Sequence, residues 1–295
     1  MKARRGRTAF ILAFLSPAVL LYGLFVVWPL AQAFYLSLFR WRGVSAKKTF
    51  IGADNYVALT QDDAFHIAFK NNMWLLFVGG FCLLVLGVLL AHGMQSNSRG
   101  VRFLRGLYLF PQVISLVVVA IIWQFLLNPS YGLASKGLEK VGIHGYGQPL
   151  ATSSQALTAV GIAFVWYAVG FYVMLFSAGL KQIPEEIGEA AQLDGSAGWH
   201  RFWNVTWPLL WSVKRIATIY IVINVLNIFA LVWVMTEGGP NRATETLLTL
   251  LYRTAFKESA FGYGTSVAVA NFAIAMILAA ILMFIYRRSP EERRA

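Results

Sequence analysis

The chain has 295 residues, of which 58% are hydrophobic, 15% aromatic and only 13% charged. Soluble domains carry about a quarter of their residues as charged types, so an ordinary water-soluble fold is excluded. The net charge of +12 is scattered over the ends of apolar runs, with no contiguous basic stripe, so lipid headgroups rather than nucleic acid are the expected anionic partner.

Crossing ~30 Å of hydrocarbon takes about 20 residues of helix. Six apolar stretches, uncharged apart from Lys214 and Arg215 at the start of the fifth, meet that need, at about 10–38, 72–93, 106–128, 157–180, 213–236 and 263–286. They predict an all-α integral membrane bundle of six transmembrane helices, organised as one domain over 1–295. In the first stretch, Pro17 and Pro29 are predicted to bend or end the regular helix. Lys2, Arg4, Arg5 and Arg7 precede it, and Ala31-Gln32-Ala33 resembles a signal-peptidase site. The apolar run exceeds the roughly 7–15 residues of a cleaved signal, so a retained span is expected.

Cys82, the single cysteine, falls in the second span, which rules out an intrachain disulfide and a cysteine-based metal site. His66, His92, His144 and His200 are dispersed without ligand spacing, and no metal site is expected. In the fourth span, Trp166, Tyr167, Gly170 and Phe171 form an aromatic group around a small residue that allows close approach. A long polar segment follows at 182–210. Its Pro184 suits a helix start, and Glu185 and Glu186 complement the positive end of the helix dipole. Gly195 permits the left-handed turn that ends such a helix, and Pro208 limits the next one. The expected geometry is two short helices joined by a tight turn, outside the lipid.

In the fifth span, Tyr220, Asn224 and Asn227 fall at i, i+4 and i+7 and share one helix face. Amides suit sugar hydroxyls and aromatic rings suit sugar faces, which makes this face a candidate solute path. The same asparagines, and Asn271 in the sixth span, also suit hydrogen bonds between helices. No Asp, Glu, Lys or Arg lies deep in any span, which argues against a charged solute and against an ion-coupled carrier. Placing both termini inside puts fifteen of the twenty-five basic residues on the inner side, among them Arg99, Arg102, Arg105, Lys181, Arg201, Lys214, Arg215, Arg287, Arg288, Arg293 and Arg294. The 182–210 segment then lies on the cytoplasmic side. No GxxxxGK[ST] loop is present, so the chain has no phosphate cradle of that kind.

Glu189-Ala190-Ala191, Gly195 three residues later, and Val205-Thr206-Trp207-Pro208 nine residues beyond resemble the EAA loop of binding-protein-dependent ABC transporter permeases. Val205 and Trp207 stand where that family usually has isoleucine and leucine. Phe50-Ile51-Gly52 with Asn55-Tyr56, Leu109-Phe110-Pro111, Trp123, Asn128-Pro129, Thr236-Glu237-Gly238-Gly239-Pro240, Ala243-Thr244, Ala255-Phe256 and Gly262-Tyr263-Gly264 resemble its carbohydrate branch. The likeness is to the first of two unlike halves of maltose and glycerol-phosphate permeases.

The resemblance implies a permease subunit, not an enzyme, in a bacterial or archaeal inner membrane. It implies a second unlike permease, two cytoplasmic ATP-binding subunits that hold ATP and magnesium, and an extracytoplasmic solute-binding protein. The chain itself carries no cofactor. Glu185, Glu189, Ala190, Ala191, Asp194, Gly195 and Pro208 are then the residues that couple to the ATPase. By similarity to the maltose permease, Tyr167, Ala168 and Phe171, with Tyr220, Asn224, Val225, Asn227 and Ile228, fall on or beside the sugar path. The expected solute is a neutral sugar or oligosaccharide. A polyol or glycerol phosphate is the alternative within the superfamily, and an ion-coupled secondary transporter the alternative outside it.

Overall fold

A computed structural model describes residues 2–45, 47–96, 98–128, 130–133, 137, 140 and 148–287, with side chains from Phe10 onward. Pro129, His144, Arg288, Arg293 and Arg294 lie outside the described residues, as do the side chains of Lys2, Arg4, Arg5 and Arg7. Among the described residues, four helices are long and apolar enough to cross a membrane, and six spans result if each of two bent helix pairs counts as one. Contacts divide the chain into two compact units, Met1–Asp62 with Leu251–Ala270 and Asp63–Leu250 with Asn271–Ala295.

In the first unit, the apolar helix Phe10–Leu36 runs through both prolines, and none of its most apolar window is buried. Of the bend or end expected at each proline, an end occurs at neither. A wide π-turn at Gly23–Val27 sits just upstream of Pro29, where the ring would otherwise meet the carbonyl of the preceding turn. Beyond this helix, Phe39–Arg40 pairs antiparallel with Thr49–Phe50, Phe39 opposite Phe50. The Asn55 amide donates to the Ser37 and Phe39 carbonyls at 2.7 and 3.1 Å, and the Tyr56 and Ser37 hydroxyls lie 2.6 Å apart. Two motif residues after the first span thus tie the ribbon to helix Asp54–Gln61. Further along, the Tyr263 hydroxyl donates to the Asp62 carboxylate, and the Gly262 N–H to the Trp41 carbonyl.

The second unit is built on Asp63–Gly93 and Ser153–Lys181. The second span begins nine residues earlier than hydropathy suggests, because Asp63 favours the positive helix end. The third span is not the single helix expected over 106–128. Arg99–Val113 and Leu116–Leu126 meet at 104°. Pro111 supplies no N–H and crowds the preceding turn, and Ile114 and Ser115 then extend. The fifth span is likewise interrupted, into Trp211–Leu226 and Ala230–Thr236.

A break at that depth leaves carbonyls without helix partners, which hydrocarbon does not satisfy. Distant side chains do so here. The Asn72 amide donates to Val225 O at 2.9 Å, Asn271 to Leu226 O at 3.3 Å, and Thr246 to Ile228 O at 3.2 Å. Asn72 also accepts from the Leu247 N–H at 2.9 Å. Next to it, Asn71 donates to the carbonyls of Ala243 and Glu245 at 3.1 and 2.9 Å. At the far end, Gln124 of the third span donates to Val234 O and Met235 O at 2.6 and 3.2 Å.

Candidate coupling helix and solute face

The polar segment folds as its residues dictate. Helix Glu185–Leu193 starts after Pro184, which caps it with φ −57° and ψ 139° and so stands just before the first turn rather than inside it. Gly195 takes φ +77°. Its N–H donates to Gln192 O at 3.0 Å, and the Ser196 N–H reaches back to Ala191 O at 2.8 Å. This crossed pair is the Schellman closure, and it satisfies the last carbonyls within the segment itself. A second helical run, Gly198–Leu209, includes a π-turn at Phe202–Thr206, carries Pro208 next to its end and meets Trp211–Leu226 at 72°.

The residues expected to couple divide between faces. Ala191 is buried, at 8% exposure, whereas Ala190 is exposed. Glu185 and Glu189, one turn apart, line a cavity of about 890 Å³ together with Gln192, Arg201, Arg105 and Lys181. Asp194 caps the helix away from that cavity lining. Glu185 and Glu189 thus share one side of the helix, while Asp194 stands at its end. Leu193, not singled out in the sequence, is 90% exposed at the last helical position, an apolar knob without cover among the described residues. Its signal was an apolar residue directly before the Asp194-Gly195 stop.

The solute face is partly assembled. Phe171 of the fourth span lies against Tyr220 of the fifth, ring centroids 4.5 Å apart, and Trp123 meets Trp166 at 6.0 Å. Gly170 sits so close to the third span that a β-carbon there would lie 2.2 Å from Tyr108 O. The Tyr167 and Ala168 carbonyls accept from the Gln112 amide at 3.1 and 3.4 Å. Tyr220 and Asn227 are exposed, Asn224 and Phe171 half-buried.

Both fifth-span asparagines bond back within their own helix, and Asn224 also lies beside the Tyr172 hydroxyl of the fourth span. Asn224 donates to Tyr220 O at 2.9 Å and Asn227 to Ile223 O at 2.8 Å, one turn back in their own helix. Asn271 does bond between helices, to Leu226 O. Ala168, Val225 and Ile228 are corrections to the expected lining. They are 8%, 0% and 3% exposed and face the interior of the unit. Val225 is a quarter-turn or more around the helix from Asn224, and Ile228 falls in the break. Asn71, Asn72, Gln112 and Gln124 were overlooked as organisers of these spans, although each is an amide inside an apolar run.

Residues 83–293 match the family described as binding-protein-dependent transport system inner membrane component. The chain belongs to that family. It is 32% identical over 282 residues to the probable ABC transporter permease protein YurN of Bacillus subtilis, covering 95% of this chain and 96% of the relative. It is 33% identical over 293 residues to the diacetylchitobiose uptake system permease protein NgcF of Streptomyces coelicolor, covering 95% and 83%. Among solved structures, a chain of a bacterial ABC transporter involved in import of the acidic polysaccharide alginate superposes with a TM-score of 0.82 at 21% identity, covering 97% of each chain. The last likeness establishes the fold. This permease is thus a transport subunit rather than a catalytic one, and an inner membrane component.

Proposed function

We propose that the permease pairs with a second, unlike permease half and two cytoplasmic ATP-binding subunits, and imports a neutral sugar or oligosaccharide handed over by an extracytoplasmic binding protein. The observation that carries this reading is the self-closed helix Glu185–Leu193, whose outer side offers Ala190, Leu193 and Asp194 beyond the membrane spans. A helix that closes its own carbonyls is a rigid body, and it transmits displacement rather than absorbing it. The basic residues favour the cytoplasm for both termini, and with them for this helix.

ATP binding and hydrolysis by the partner subunits then move the coupling helix, and the bundle shifts between outward and inward access. Leu193 fills the ATPase cleft, Asp194 pairs with its polar rim, and Glu185 and Glu189 hold the helix against its own cavity wall. The outer loops 40–70 and 237–262 receive the binding protein. ATP and magnesium belong to the partners.

The sugar assignment rests on Tyr220, Asn224 and Asn227, which present an aromatic face and amide oxygens on one side of the fifth span. Residues 154–180 and 216–236 carry no Asp, Glu, Lys or Arg, which favours a neutral solute. The named substrate of NgcF, diacetylchitobiose, belongs to the same chemical class.

The test is co-purification of the tagged chain from detergent-solubilised membranes, followed by ATPase assays with sugars, polyols, glycerol phosphate and the binding protein. Recovery of a second permease and an ATP-binding subunit, with ATP hydrolysis raised by sugar-loaded binding protein, is the expected result. Recovery of the chain alone, transporting without nucleotide, would overturn the importer reading in favour of an ion-coupled carrier.

A further inference from the structure

Trp199, Trp203, Trp207 and Trp211 recur every fourth residue just after the coupling helix. Residues four apart drift by about 40° around an α-helix. The wider π-turn at Phe202–Thr206 offsets that drift and keeps the row together. Trp199 and Trp203 lie 6.4 Å apart with nearly parallel rings, and Trp203 and Trp207 lie 5.7 Å apart. Phe202, 2% exposed, touches all three from beneath. Trp199 and Trp203 nevertheless remain 60% and 55% exposed, so the row is supported on one side and open on the other.

Charge accompanies the rings. Lys214 places its ammonium 4.2 Å over the Trp207 ring and donates to Trp207 O at 2.7 Å, and the Arg215 guanidinium stands 5.1 Å over Trp211. No acidic residue occurs between Asp194 and Glu237. Geometry supplies the third element. A 12-residue helix is about 18 Å long, and the 72° bend lets it descend only about 6 Å along the axis of Trp211–Leu226. If that axis crosses the bilayer, the row runs close to the membrane plane, at the start of the span.

We propose that Gly198–Leu209 is an interfacial helix whose tryptophan row, with Lys214 and Arg215, docks anionic phospholipid headgroups of the cytoplasmic leaflet. Indole rings partition to the headgroup level, and basic side chains at that level draw anionic lipid. The bound lipid fixes the height of the coupling helix above the bilayer, because the Gly195 turn joins the two directly. The proposal rests on the cytoplasmic placement of 182–210 argued above.

The test places the tagged chain, with its co-purifying partners, in nanodiscs doped with brominated phosphatidylglycerol or brominated phosphatidylcholine. Emission of the parent minus that of a W199F/W203F variant isolates the two exposed rings. Quenching of this difference emission is expected, roughly fivefold stronger for the glycerol lipid at low mole fraction, the enrichment one basic side chain supplies. K214Q/R215Q is expected to bring the two lipids level. Difference emission that neither lipid quenches would overturn the proposal, as would equal quenching by both in the parent. So would quenching that emerges only after the ATP-binding subunits are stripped off, which would give the row to the ATPase. Should W199F/W203F fail to assemble, W203F alone supplies the difference. Loss of the ATP-binding subunits from the parent complex would count against the importer reading, while the lipid readout would still decide the proposal.

Discussion

The candidate coupling helix and the fifth span both end in carbonyls that need partners, and they find them in opposite ways. Glu185–Leu193 closes on itself through Gly195 and Ser196. The fifth span, broken between Leu226 and Ala230, depends on Asn72 of the second span, Thr246 of the following loop and Asn271 of the sixth. The first is a self-contained lever, movable without loss of its own hydrogen bonds. The second is a break whose geometry is held by three other parts of the chain, so any shift of the fifth span is felt by its neighbours. The proposed function uses both, the first as a rigid input and the second as a path wall tied to the bundle.

The sharpest way to break this contrast is Asn72→Leu. It removes the donor to Val225 O and the acceptor for the Leu247 N–H at a fully buried position. Each orphaned buried group costs about 1–3 kcal/mol, so a loss of about 2–6 kcal/mol is expected. Thermal unfolding in detergent reads it as a lowered midpoint. A midpoint unchanged from the parent would mean the break is held without Asn72. Next in size is Gly170→Ala, where the added carbon meets Tyr108 O at 2.2 Å and must push the third span away. Overpacking of this kind costs about 1–3 kcal/mol. Its measurable signature is reduced stability together with altered protease access near Tyr108.

Gly195→Val probes the lever itself. A β-carbon at Gly195 meets nothing within 4 Å, so the cost comes from backbone conformation alone. An L-residue held at φ +77° pays about 1–2 kcal/mol, or the turn re-forms with a different direction. Membrane insertion is expected to stay at the parent level, while ATP hydrolysis and solute uptake separate. Parent-like uptake per ATP in this variant would refute the coupling role.

How much of this was legible in the sequence follows from how local each device is. The turn at Gly195, the acids of the first turn and the six apolar stretches depend on residues within one or two turns, and residue type reports them directly. The break at Asn227–Phe229 was not legible, because hydropathy averages over it and its satisfaction comes from remote amides such as Asn72, 153 positions from Val225, whereas the one at Ile114–Ser115 lies just behind Pro111, which hydropathy passes over. The solute face lies between. Its helical spacing put Tyr220, Asn224 and Asn227 on one side, but the interior positions of Ala168, Val225 and Ile228 depend on packing that spacing does not contain.

The smallest structural effect and a large functional one are expected together at Asn224→Ala. The amide donates to Tyr220 O, one turn back, on a partly open face, and lies beside the Tyr172 hydroxyl of the fourth span. The helix keeps its backbone ladder without that bond, and alanine is the better helix former, so stability should change by less than about 0.5 kcal/mol. If the amide oxygen meets a sugar hydroxyl, its loss removes one hydrogen bond to the solute, worth about 0.5–1.5 kcal/mol, or roughly a threefold to tenfold fall in uptake at subsaturating solute. Val225→Ala supplies the contrast. It shortens a fully buried side chain, so it should lower the unfolding midpoint while leaving solute preference as it was. Should Asn224→Ala lower stability and leave uptake untouched, the amide would belong to the scaffold. Tyr220, lying against Phe171 of the fourth span, and Asn227 would then be the fifth-span groups left to meet the solute.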